Sequence, residues 1–377
     1  MVEKMKEIMP NVELELEIAA RDDNQKLKTY AAAGNLPDIF NTNLDAIRTF
    51  QASNNILILD DYAKEFNVDE VFIPTARSML YDVDGHIYAI PTGGGQWVAS
   101  VFYNKKVFEE NGVKPPENYD EFLEAVKVFD KKGIIPLALF AVEKWPGVQL
   151  FDLIASRVNP KGIKALDKGE AKVSDPAYKR AAEKVYELVN AGLLGKGAFN
   201  RGYDEALALF TEGKAAMLMN GAWAVLDIGP KMGDNAGILY YPFADPENAE
   251  EVKWNMSGGG GTIGGYSVSP YSPHKDIAAR FAVQAAIKVA EGTYVKRGEP
   301  PIINNPPQTE VELPAIMLQY LEDSKNFKSI TTFPWGIENP KIKTALEDNV
   351  QKLLTGEYPV ENFIKDTDLI IQDSLTE

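Results

Sequence analysis

Apolar residues alternate with glutamates over residues 12–18 (Val12, Leu14, Leu16 and Ile18), a period of two that predicts a strand, and residues 1–10 before it read as a short helix. A further helical stretch stops at Gly34, and residues 36–40 read as a short buried strand entering the polar loop Asn41-Thr42-Asn43. Asp84-Gly85 is a tight-turn dipeptide before a strand over 87–90, and a glycine loop over 91–96 leads to a strand over 97–103. Asn118 with Glu121 three residues on forms a capping signal that opens a helix to about Lys132, stopped by Gly133. A buried strand over 136–141, a helix over 145–158 and a long helix started by Asp175-Pro176 follow.

The same alternation continues with a helix over 204–210, a strand over 215–219, a helix from Ala222 and a strand over 238–241. The glycine run 258–261 reads as a turn or a point of close approach, ahead of a strand over 266–269 and a helix over 276–290. The remainder is mostly helical, broken at Pro300-Pro301 and Pro306-Pro307. Strands alternating with helices predict an α/β class with substantially parallel sheets.

Length turns this pattern into two domains, because 377 residues exceed what one ordinary core supports. A content of 45% hydrophobic and 25% charged residues is that of a globular chain, and no apolar run is long enough to span a bilayer. The first residues are charged and amphipathic, so no export signal is read in the chain. A formal net charge of −16 repels a phosphate backbone, and no basic stripe offsets it, which argues against nucleic acid as a partner.

The chemistry that the residues exclude is broad. With no cysteine there are no disulfides, thiolate metal sites or thiol nucleophiles. The two histidines, His86 and His274, lack metal-ligand spacing, so no metal is expected. No Gly-x-Ser-x-Gly elbow, phosphate loop or dinucleotide fingerprint occurs, and no cofactor is implied. A glycoside hydrolase stays open as the alternative, since 55 acidic residues guarantee carboxylate pairs somewhere, but none sits in a catalytic signature.

Four segments along the chain resemble the extracellular solute-binding proteins of ABC sugar importers, the superfamily of maltose-binding protein. They are residues 33–40 (Ala-Gly-Asn-Leu-Pro-Asp-Ile-Phe); 85–91 (Gly-His-Ile-Tyr-Ala-Ile-Pro), with Phe102-Tyr103-Asn104-Lys105 and 112–116; 210–217 (Phe-Thr-Glu-Gly-Lys-Ala-Ala-Met), closing on Asn220-Gly221-Ala222-Trp223; and 265–269, leading to the helix that holds Ala278, Ala279 and Phe281. The resemblance implies a periplasmic-binding-protein-like fold, two α/β lobes around a central cleft with several hinge crossings. The lobes would be 1–102 with 262–297, and 103–261 with 298–377. The resemblance implies a monomeric, non-enzymatic binding protein that takes a mono- or oligosaccharide, with a non-sugar solute as the alternative ligand, and delivers it to the transmembrane subunits of an ABC permease. It places the protein in a periplasm or lipid-anchored at the extracellular face of the cytoplasmic membrane. The family usually begins with a strand whose loop reaches the ligand; this chain starts at Met1 inside what reads as the next helix, which leaves one wall of the cleft short.

A pyranose offers apolar C–H faces and a rim of hydroxyls, so its site needs flat aromatic rings with polar groups at their edges. Trp223, Trp145 and Trp335 stand where the family places stacking aromatics, and Trp97 follows the glycine loop near a lobe crossing. Trp254, in an acidic stretch, reads as a packing residue. Asn43 and Asp45, with Asn41 and Thr42 beside them, follow a strand end where open α/β sheets place ligands, and loop capping explains them equally well. Gln96, Glu143, Gly259 and Arg297 complete the candidate contacts.

Overall fold

A computed structural model describes residues 2–17, 24–73, 76, 79–93, 97–240, 242–259 and 261–376. Eight strands are formed among them: β1 (Ile39–Thr42), β2 (Ala99–Asn104), β3 (Ile135–Ala138), β4 (Ala215–Gly221), β5 (Ala236–Leu239), β6 (Asn255–Gly259), β7 (Gly265–Val268) and β8 (Ser329–Thr331). The chain divides into two compact units, Met1–Gln96 with Gly261–Glu312 and Trp97–Gly260 with Leu313–Glu377.

These boundaries differ from the expected ones at Gly261, which falls in the first unit, and over two longer stretches. Residues 298–312 stay with the first unit because Ile302 and Ile303 lie in its core, where Phe72 and Ile303 also form a β-bridge. Residues 97–102 belong to the second because β2 is laddered to β4 and β5 there.

In the first unit β1 pairs antiparallel with β7, Ile39 opposite Val268 and Thr42 opposite Gly265. The alanine-rich helix Lys275–Arg297 covers this ladder and buries Ala279, Ala282, Val283 and Ala286 against Leu59, Phe72 and Leu80. The strand expected over 12–18 is not formed over 12–17, and Ile18 lies outside the described residues. Val12 and Leu14 instead pack with Met5 on Phe281 and Ala285 of that helix, so the alternation serves side-chain packing and not a ladder.

The second unit is built on a four-stranded sheet in the order β3-β4-β2-β5. The expectation of substantially parallel sheets is corrected here: β3 and β4 are parallel, but β2 runs antiparallel to both β4 and β5. Every residue of β4 is buried, and a strand covered on both faces reads as a continuous apolar run whatever the direction of its neighbours. On one face of the sheet lie the helices Tyr119–Lys131, Trp145–Ala155, Pro176–Asn190 and Pro340–Leu353; Tyr203–Thr211, Val225–Met232 and Ala315–Asp323 lie on the other. Asn118 caps the first of these as expected, accepting from the Glu121 amide at 3.0 Å.

The glycine run is not a turn at its start. Gly258 and Gly259 end β6, which pairs in parallel with β8, and both have φ +76°, a left-handed conformation that favours glycine. A Cβ on Gly258 would stand 2.7 Å from the Phe333 ring, so the missing side chain lets that ring close on the strand.

Candidate functional site

β3 and β4 are parallel, so their C-terminal ends lie at the same edge of the sheet, the edge where open α/β sheets collect ligands. Trp145 follows the end of β3 at the start of the helix Trp145–Ala155, and Trp223 follows β4 within a single turn, Ala222–Ala224. Trp335 comes from a third segment, the turn Pro334–Gly336 just past β8. The three indoles meet: ring centroids are 5.8 Å apart for Trp145–Trp223, 5.4 Å for Trp145–Trp335 and 6.1 Å for Trp223–Trp335.

At the centre of this group is Phe333, which the sequence reading passed over. It lies 4.5 Å from Trp335 in a stacked pair tilted by 9°, 5.2 Å from Trp223 and 5.8 Å from Trp145. Phe333 is buried at 5% exposure, whereas Trp335 keeps 43%, so the inner ring backs an outer one. An aromatic two residues before Trp335 in a proline-held loop was the available signal.

Local backbone sets the orientation. Lys144 adopts φ +55°, an uncommon conformation for a residue with a side chain, immediately before Trp145. Pro146 fixes the first helical turn that follows, and the Lys144 ammonium is anchored to Asp348 at 2.6 Å. Gly221 has an ordinary φ of −73°, yet a Cβ there would collide with the Trp223 ring.

Tyr203 supplies a polar rim that sequence reading also missed. Its ring packs on Phe140 at 5.3 Å, its amide donates to the Glu143 carboxylate at 3.3 Å, and its hydroxyl donates to Asp227 at 3.2 Å. Burial, and then the charge of Asp227, push the Tyr203 hydroxyl up to about 12, so it is a neutral donor at physiological pH. Asn220, buried one residue before Gly221, spends its side-chain oxygen on the Gly221 amide.

The other candidates fall elsewhere. Trp97 is not brought to the cluster: it is 8% exposed in the core of the second unit, stacked on Tyr320 at 5.6 Å. Gly259 is buried in β6, and Trp254 packs against Tyr240 and Phe327. Asn43 is the N-cap of the helix Leu44–Ala52, accepting from Ala46 at 3.0 Å, and Asp45 in its first turn pairs with Lys28 at 3.1 Å. Asn41 is exposed on β1 opposite Tyr266, while Thr42 is buried and bonded to Ser267. Arg297 ends the helix Lys275–Arg297 and pairs with Glu299 at 3.0 Å. Gln96 lies outside the described residues. His86 pairs with Asp60 at 2.6 Å.

A model of the bacterial extracellular solute-binding proteins matches residues 4–285. The chain belongs to this family. Among these solute-binding proteins, a multiple sugar-binding protein of Streptococcus mutans is 28% identical over 213 residues, 54% of this chain and 49% of that protein. This chain therefore spans about half the length of that relative. The melibiose/raffinose/stachyose-binding protein MelE of Bacillus subtilis is 24% identical over 304 residues, 76% of this chain and 67% of its own. A solved chitin oligosaccharide binding protein has the same α/β fold, with a TM-score of 0.81 at 24% identity over 100% of this chain and 93% of that one. Among the described residues no helix is long and apolar enough to cross a membrane.

Proposed function

We propose that this solute-binding protein is the carbohydrate-binding component of an ABC importer. It stacks a mono- or oligosaccharide on the Trp145–Trp223–Trp335 platform and passes it unchanged to a membrane permease. The observation that carries this reading is the platform itself: three indoles from three separate segments converge on one buried phenylalanine, with Trp335 left exposed. A pyranose C–H face is complementary to such a surface, and Tyr203, Glu143 and Asp227 stand near it as hydroxyl partners. The names of the relatives, sugar-binding in both cases, point the same way.

No chemistry on the sugar is part of this reading. Of the carboxylates held above their ordinary range, Asp152, on the helix that Trp145 opens, is sealed from solvent and occupied by four donors. The protein works at the extracellular face of the cytoplasmic membrane, lipid-anchored or in a periplasm, as a monomer.

The test is a titration of intrinsic tryptophan fluorescence with a panel of xylo-, chito-, malto- and raffinose-type sugars, with chromatography of the mixtures. Saturable spectral change without product is expected. A panel in which no sugar alters the emission, or in which product accumulates, overturns the reading.

A further inference from the structure

Behind the platform the second unit holds a polar cluster that the sugar contacts do not use. Asp152 has no exposed surface and lies on the helix that Trp145 opens, seven residues on and so about two turns away on the same face. Its Oδ1 accepts from the Ile163 amide at 2.6 Å; its Oδ2 accepts from the Ser257 hydroxyl at 2.5 Å, from the Thr331 hydroxyl, and from Gln149 at 3.3 Å.

The two hydroxyls are already engaged. Thr331 Oγ1 already accepts from the Gly258 amide at 2.9 Å, and Ser257 Oγ accepts from Gln149. Each also gives its own proton to Asp152, so both hydroxyls direct their hydrogens at the carboxylate. Gly162 closes the remaining side, with φ +50° and a Cβ position only 2.6 Å from the Thr331 methyl.

These partners sit on the segments that carry the platform. Ser257 and Gly258 are in β6, and Gly258 is the residue against which Phe333 closes. Thr331 ends β8, two residues before Phe333 and four before Trp335. Trp145 heads the helix of Asp152 itself.

We propose that Asp152 is the positioning residue of the aromatic platform: by collecting hydroxyl donors from β6 and β8 onto the Trp145 helix, it fixes the registration of Trp145, Phe333 and Trp335. This rests on the platform's being the sugar site, but the positioning can be read without sugar.

The experiment compares Asp152→Asn, Thr331→Val and Thr331→Ser by near-ultraviolet circular dichroism of the unliganded protein, with Trp335→Ala marking which band belongs to the platform. Folding is checked by far-ultraviolet dichroism, and affinity is measured for whichever panel sugar binds the wild type. Asp152→Asn turns an amide nitrogen either to the Ile163 N–H or to the Ser257 and Thr331 hydroxyls, which must then swing their protons away, and Thr331→Val cuts the link from Gly258 to the carboxylate. Both should lose more than half of the platform band and at least tenfold in affinity while remaining folded. Thr331→Ser, which keeps the hydroxyl, should retain the band and bind within twofold of wild type. A wild-type band in folded Thr331→Val overturns the proposal, as does equal loss in Thr331→Val and Thr331→Ser. Failure of every sugar to bind wild type, with the band responding as stated, overturns the sugar reading alone.

Discussion

The contrast between Phe333 and Trp335 gives the sharpest test of the site, because two stacked rings in one loop should fail in opposite ways. Phe333 is 5% exposed, touches Trp145, Trp223 and Trp335, and fills the space left by Gly258. Truncating such a ring to alanine leaves a cavity and costs about 3 to 5 kcal/mol. For a unit of this size that lowers Tm by roughly 6 to 20 °C, at about 2 to 4 °C per kcal/mol. Trp335 is 43% exposed and rests one face on Phe333. Its loss removes the stack on Phe333 and the ring contacts with Trp145 and Trp223, and from so exposed a ring should cost about 2 kcal/mol of stability, less than the Phe333 truncation. In affinity the order reverses in kind: Trp335→Ala deletes a ligand surface, worth about 1 to 3 kcal/mol or roughly 5- to 150-fold in Kd. Urea unfolding and sugar titration by calorimetry on both variants measure the two quantities. Destabilisation of Trp335→Ala equal to that of Phe333→Ala, or unchanged affinity in Trp335→Ala, refutes the division into a backing ring and a binding ring.

Gly221→Ala introduces no backbone strain at φ −73° but drives a methyl into the Trp223 ring, so it should shift tryptophan emission and weaken sugar binding at least fivefold; an unaltered spectrum counts against the placement of Trp223. Burial raises Asp152 to about 6, against the pull of its donors and of the Arg157 guanidinium. Its folded value thus lies above the unfolded one, so its contribution to stability is full below about pH 4 and is lost as pH rises through about 6. That swing is roughly 3 kcal/mol, and Asp152→Asn should remove it, so that denaturant unfolding of variant and wild type converges or crosses in the variant's favour between pH 4 and 7. A difference independent of pH contradicts this. The hydrogen bond to Asp60 raises His86 above its ordinary value, so an NMR titration should find it protonated beyond pH 6.5 and returned toward that value in Asp60→Asn.

The elements that were legible in the sequence are those whose cause is local. Asn118 with Glu121, Asp175-Pro176 and Gly133 mark helix ends by capping and backbone geometry, and the helices Tyr119–Lys131 and Pro176–Asn190 lie where these signals put them. Illegible were features whose cause sits far along the chain. In β6, Asn-Met-Ser-Gly-Gly, one apolar residue is too little for a strand pattern, and the segment is extended because β8, some 70 residues on, pairs with it and Phe333 closes against it. The antiparallel course of β2 is likewise a property of its neighbours, since a strand buried on both sides carries no directional mark.

The site divides along the same line. Tryptophans past strand ends could be named singly, because position relative to a strand end is local information. That Trp145 and Trp223 meet follows once β3 and β4 are known to be adjacent and parallel, which places both C-terminal ends together. Trp335 joins them only through β8 and its pairing with β6, and the group that holds those segments in register is a buried carboxylate in a helix that is otherwise apolar apart from Gln149. Asp152 could be read from the sequence as a polar interruption among Val148, Leu150, Phe151, Leu153 and Ile154, all of which are buried. A charge in that position is tolerated only where donors converge on it, so an acidic residue on the buried face of such a helix is itself a sign that other segments have been brought to it. Here those segments are the ones that end in the platform's rings.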